Sequence, residues 1–163
     1  GELGPIEIPG DLILHNSVIL KITGTILVRG NISLRNLCRV YLDELYADTS
    51  GILMADGEID IDQNCAMDGT GNAKSFLLLL SDKDDEANTV MSVANNATGV
   101  IYYASRGKLH LNEGSFAKNA TGYAIVMNNN AVVTYDLNMA GMFFWSGGAG
   151  SDGWIVNMWE ETE

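Results

Sequence analysis

The tetrapeptide Asn96-Ala97-Thr98-Gly99 recurs 23 residues later as Asn119-Ala120-Thr121-Gly122. Each copy leads into an apolar run, Val100-Ile101-Tyr102-Tyr103 in the first case and Tyr123-Ala124-Ile125-Val126 in the second. A repeat of this length points to a solenoid. A unit of about 20 to 50 residues cannot bury its apolar side alone and must stack on its neighbours. Looser copies precede it at spacings of about 23 to 27 residues: Gly24-Thr25 before Ile26-Leu27-Val28, Thr49-Ser50-Gly51 before Ile52-Leu53-Met54, and Ser75 before Phe76 to Leu80.

A second element accompanies each unit. Ile32-Ser33-Leu34, Ile59-Asp60-Ile61, Met91-Ser92-Val93 and Leu109-His110-Leu111 place apolar residues two apart with a polar residue between, and Ile125-Val126-Met127 follows in the same frame. That alternation is a strand with one buried face. Turn-like clusters follow: Arg35-Asn36, Gln63-Asn64, Asn95-Asn96, Glu113-Gly114 and Asn129-Asn130. Asn and Gly tolerate positive φ, so these read as corners, and stacked Asn side chains there can bond as a ladder. The predicted fold is a right-handed, single-stranded parallel β-helix over residues 1–163. Its rungs occupy 11–131, and an aromatic cap at 132–163 closes the last rung. A β-sandwich is the rival, but its strands need not recur at a sequence period. Leu42 to Ala47 is the one short helix candidate.

Charge narrows the partners. The formal net charge of −12 argues against nucleic acid, whose binding needs a basic patch, and against an anionic membrane surface. No apolar run is long enough to cross a bilayer, so no direct membrane insertion is expected. Eight carboxylates and no Lys or Arg lie between Val40 and Ala73. They read first as a solvated face. Asp60 and Asp62 would both point outward from one strand and form a partial Ca²⁺ candidate, but neither an EF-hand loop nor a Gly-Gly-x-Gly-x-Asp repeat is present. No full metal-ligand set and no cofactor motif is found.

The two cysteines fall in the same frame: the 27-residue shift that carries Ile32 onto Ile59 carries Cys38 onto Cys65. Stacked on neighbouring rungs, they could form a disulfide, or remain two reduced thiols filling the core. No catalytic constellation emerges. His15 and His110 are isolated, and Asp84-Asp85 sits in the run Ser81 to Glu86, which reads as a loop inserted between rungs rather than a paired-carboxylate site. The aromatic end, with Trp145, Trp154 and Trp159, offers a carbohydrate platform as the alternative to a cap.

Laid out this way, the chain resembles a domain at the C-terminus of bacterial envelope proteins, including pilus-assembly proteins with a prepilin-type helix. The residues that carry the likeness are Gly24-Thr-Ile-Leu-Val-Arg-Gly-Asn-Ile-Ser-Leu34, Ala55 to Ile61, Asn95 to Ala104 and Trp154 to Glu160. The resemblance implies no catalytic residues. It implies a non-catalytic structural or adhesive module at the bacterial cell surface or envelope, whose partners are other surface or pilus subunits or surface glycans. Because it opens at Gly1 rather than Met, the chain reads as a piece of a longer protein. The alternatives are a carbohydrate-binding or polysaccharide-degrading β-helix and a bactofilin-like polymerising scaffold.

Overall fold

The structure is a computed structural model and describes residues 1–147. The chain winds as a parallel β-helix whose sheet wraps about 288° around the axis. The first face stacks Glu2–Leu3, Ile19–Ile22, Arg39–Leu42, Ala66–Asp68, a bridge at Thr98, Phe116–Ala117 and Val132–Val133. The second stacks Ile6–Ile8, Ile26–Val28, Gly51–Ala55, Leu77–Ser81 and the first halves of Ile101–Leu111 and Asn119–Met127. The third stacks Leu12–Leu14, Ile32–Leu34, Ile59–Ile61, the end of Asp85–Val93 and the second halves of the same two long strands. Every pairing between these strands is parallel.

Alternation builds the core. Ile26 and Val28, Ile32 and Leu34, Leu53 and Ala55, and Ile59 and Ile61 all point inward and are buried, while the residue between each pair faces out. Stacking equivalent strands at about 4.8 Å merges these pairs into one continuous apolar interior.

The five alternating segments stack as expected. On the third face Leu12 pairs with Ile32, Ile32 with Ile59, Ile59 with Met91, Met91 with Leu109 and Leu109 with Ile125. The coil length is less regular than 23 to 27 residues. Those pairs are 20, 27, 32, 18 and 16 residues apart. The two Asn-Ala-Thr-Gly copies are not equivalent either. Asn96 is a corner residue at φ 57°, whereas Asn119 stands within a strand opposite Ile101. Strand stacking fixes only the faces, and the corners absorb extra residues. Residues 43–50, which include the single-turn 3-10 helix Glu44–Tyr46, lengthen the third coil. Residues 82–90 lengthen the fourth, within the coil between its second and third faces rather than between rungs.

The corner between the third and first faces is left-handed in every coil: Asn16 (φ 56°), Asn36 (56°), Asn64 (58°), Asn96 (57°), Gly114 (68°) and Asn130 (60°). Backbone bonds carry this ladder for the most part, as in Ser17 N to Asn36 O (2.8 Å) and Asn96 N to Glu113 O (3.1 Å). Among the described residues, the expected side-chain ladder is limited to two contacts, Asn36 Nδ2 to Asn16 Oδ1 at 3.4 Å and, at the entry to the corner, Asn128 Nδ2 to Asn112 Oδ1 at 3.1 Å.

A column of glycines forms the corner between the second and third faces. Gly30 N donates to Gly10 O (3.1 Å) and Gly57 N to Gly30 O (3.0 Å). A Cβ on Gly57 would run into Asn31 Oδ1 and come within 2.7 Å of Gly30 O, whereas one on Gly10 meets nothing within 4 Å. Gly57→Ala is therefore expected to cost about 1–3 kcal/mol by overpacking. Gly10→Ala is expected to be neutral or to stabilise by up to about 1 kcal/mol through the unfolded chain. Urea denaturation of both variants checks the contrast, and equal effects would refute the steric account.

Residues 132–147 depart from the expected cap. After Val132–Val133 the chain leaves the coil path. Asp136 caps the short 3-10 helix Leu137–Met139, and Met139 is buried. The chain then runs back along the corner between the first and second faces as a strap. Ser50 N donates to Phe143 O (2.6 Å), Trp145 N to Ser50 O (2.8 Å) and Thr25 N to Ser146 O (2.7 Å). Gly147 ends beside Gly24. Of its apolar residues, Met142 and Trp145 pack against the core, whereas Leu137 and Phe143 stay exposed.

Candidate functional site

The outward residues of the third face form a column. Ser33 stands opposite Asp60, Asp60 opposite Ser92, and Ser92 opposite His110. Parallel stacking spaces them about 4.8 Å apart. The insertion at 82–90 rises beside the column and turns a flat face into a groove of about 330 Å³, walled by Thr89 and Val90 and floored by Asp60, Ser92 and His110.

Burial pushes the Asp60 carboxyl above its ordinary range; Arg35 pulls the other way, and Asp62 and Glu58 then add to the rise. Asn128 Nδ2 lies 3.1 Å from His110 Nε2. An amide nitrogen only donates, so this ring nitrogen accepts. Among the described residues no hydrogen bond joins Ser92 to His110 or Asp60. The column thus presents a carboxyl, a hydroxyl and an imidazole in a row, with the His110 Nε2 already taken by Asn128 and the other ring nitrogen left to bond a polar ligand laid along the axis. The signal for it was legible as the middle residue of each alternating segment, but aligning those residues requires the true coil lengths.

Other candidates fall elsewhere. Contrary to expectation, Asp60 and Asp62 do not share a strand: the strand ends at Ile61, and Asp62 lies just beyond it, where its Oδ1 accepts from Gln63 N (2.8 Å). Among the described residues no group of three or more His, Cys, Asp or Glu is arranged to hold a metal ion. Asp84 pairs with Arg106 (3.4 Å), and Asp85 accepts from Asn88 N (3.2 Å). Cys38 and Cys65 stack on adjacent coils, with Ala66 N donating to Cys38 O (3.0 Å), as buried free thiols. Cys38 Sγ donates to Arg35 O at 2.9 Å, and burial pushes the Cys65 thiol up. Trp145 is half-buried and packs edge-on against Tyr46, ring centroids 4.7 Å apart, rather than lying flat to solvent. Trp154 and Trp159 lie outside the described residues. No helix among those residues is long and apolar enough to cross a membrane.

Ion pairs run along the axis. Arg29 bridges Glu7 (2.9 Å) and Asp56 (3.1 Å), and Lys21 bridges Glu2 (2.6 Å) and Asp43 (2.9 Å), each joining three consecutive coils. The Leu45 N–H, and then the Lys21 ammonium, hold the Asp43 carboxyl below its ordinary range. A carboxylate with a lowered folded-state pKa stabilises above the unfolded value of 3.8, and that stabilisation is lost as the pH falls through the folded value. Asp43→Asn is expected to lower Tm at neutral pH and to converge with the parent as the pH falls through the folded-state value. A Tm loss that stays the same throughout an acid titration would show that Asp43 acts through packing instead.

No protein-family model, no curated protein and no solved structure matches this chain.

Proposed function

We propose that this chain is a non-catalytic structural or adhesive module of a bacterial cell-surface or type IV pilus-associated protein. The observation that carries the reading is the use made of its outward charges. The Glu7–Arg29–Asp56 and Glu2–Lys21–Asp43 bridges and the Arg106 pairs with Asp82 and Asp84 brace one coil against the next. A continuous core and axial braces suit a stiff spacer that carries load or presents a surface. Externally added protease should remove an epitope placed in this domain from intact source cells. An epitope protected until the cells are lysed overturns the surface assignment.

The groove favours a second reading, in which the same module binds surface glycans. Sugar hydroxyls would bond Asp60, Ser92 and His110 in turn along the axis. A glycan array probed with the parent and with Ser92→Trp, which fills the groove, tests this. Signals that persist unchanged in Ser92→Trp exclude the groove as the binding surface.

A further inference from the structure

The two ends of the solenoid differ in kind. Residues 119–135 contain no Asp, Glu, Lys, Arg or His, in a chain whose net charge is −12. They form the last coil, and among the described residues Asn119–Met127 pairs on one side only, with Ile101–Leu111. Ile125 and Met127 stack on Leu109 and Leu111. The inner pair is 0% exposed, the outer pair 43% and 47%. Tyr123, Val126, Val132 and Val133 are exposed beside them. Among the described residues, this end therefore combines an open core with an unpaired strand edge that has neither charge nor proline. Those are two of the devices that natural sheets use to keep edges from pairing.

The opposite end has both. In the first coil Ile6 N donates to Thr25 O (3.1 Å) and Ile8 O accepts from Arg29 N (2.8 Å). The alternate residues Pro5, Glu7 and Pro9 thus turn their backbone to the edge that no described strand pairs, where the two prolines have no N–H to offer. Asp11 adds negative charge there, while Glu2 and Glu7 are held in the Lys21 and Arg29 bridges. A proline-blocked edge is a poor template for the strand edge at the other end, so head-to-tail stacking is disfavoured. What matches an uncharged apolar end on an acidic molecule is another copy of that end, where no like charges meet.

We propose that the C-terminal end of the solenoid is a homodimer interface. Two copies pair about a two-fold axis, with their Asn119–Met127 strands antiparallel. The axis lies normal to the sheet, since only that operation continues the sheet across the junction. The inference does not rest on surface location, and its failure would leave the protease experiment unaffected.

Sedimentation equilibrium of the full chain over a wide concentration range tests it. The expected result is a monomer–dimer equilibrium with no larger species. Val126→Lys puts a charge on the outward side of the edge strand, where the monomer core does not use it. It should raise the dimer dissociation constant at least about tenfold, because like charges are brought together at the junction. Its circular dichroism and Tm at low concentration should match the parent. Ile125→Lys should act in the same direction. A full chain that stays monomeric, because residues 148–163 or another protein cover this end, overturns the proposal. So does a ladder of larger oligomers, which would mean head-to-tail growth, or a dimer indifferent to Val126→Lys.

Discussion

Tyr102→Ala is expected to lower the unfolding free energy by about 3–5 kcal/mol, and Tyr102→Phe to leave it unchanged or raise it by about 1 kcal/mol. Tyr102 stands in the inward column Ile26, Leu53, Leu79, Tyr102 and is 0% exposed. Truncation to Ala leaves a cavity in a core that is continuous along the axis and cannot collapse locally without shifting stacked strands. The hydroxyl is another matter. It finds no hydrogen-bond partner among the described residues, so its removal relieves a buried polar group. The site is tight: a Cβ on Gly99 would run into that hydroxyl, which is why glycine precedes the strand there. Burial pushes the Tyr102 phenol far above its ordinary range and that of Tyr46 up to about 12. A phenol that holds its proton longer in the folded state loses stability as pH rises above the unfolded value of about 10. Tyr102→Phe should therefore also blunt alkaline destabilisation. Urea titrations at neutral and alkaline pH check both parts. A Phe variant that costs more than about 1 kcal/mol would show that the hydroxyl is hydrogen-bonded after all.

The same column explains what a reader of the sequence can and cannot see. Inward residues repeat at period two, so Ile32-Ser33-Leu34 and Ile59-Asp60-Ile61 announce both their strands and their stacking, and the 27-residue shift between them is the real register. The Asn-Ala-Thr-Gly repeat misleads because short polar turn residues suit two different places. Asn96 uses its tolerance of positive φ at a corner, while Asn119 begins a strand after a corner built from Glu113-Gly114. Identical letters there report turn chemistry, not position. The groove was legible only in part. Asp60 and His110 could be placed on outward strand positions, but nothing local says that the insertion at 82–90 folds against that face. The path of residues 136–147 is not legible in the sequence for a general reason, and the rest of the expected cap, 148–163, lies outside the described residues. Aromatic residues after the last repeat indicate that something apolar is covered, and composition does not say which surface. Here residues 143–147 bridge to Ser50 and Gly24 on the flank, next to the long corner at residues 43–50.

The strap yields the second large effect. Trp145→Ala is expected to cost about 2–4 kcal/mol, somewhat less than a fully buried tryptophan because the ring is only half-buried. Its ring and that of Tyr46 meet T-shaped at 84°, an arrangement that adds about 0.5–1.5 kcal/mol beyond area burial. Ser50 holds the backbone beneath: its N–H reaches Phe143 O, its carbonyl accepts from Trp145 N, and its Oγ accepts from Phe76 N (3.0 Å). Ser50 is 0% exposed, so the strap is the cover that keeps these bonds dry. Once Trp145 is lost, the strap should open before the coils beneath it do, because it is held by few bonds while each inner coil is held by ladders on both sides. Hydrogen exchange separates the two events. The Ser50 and Thr25 amides should speed up far more than those of Asp62 and Ala94, which donate within the third-face stack. A double-mutant cycle with Tyr46→Ala should return a coupling near the aromatic-pair value. If all four amides instead accelerate together, the strap and the coils unfold as one unit, and residues 136–147 belong to the cooperative core of the solenoid rather than lying on it.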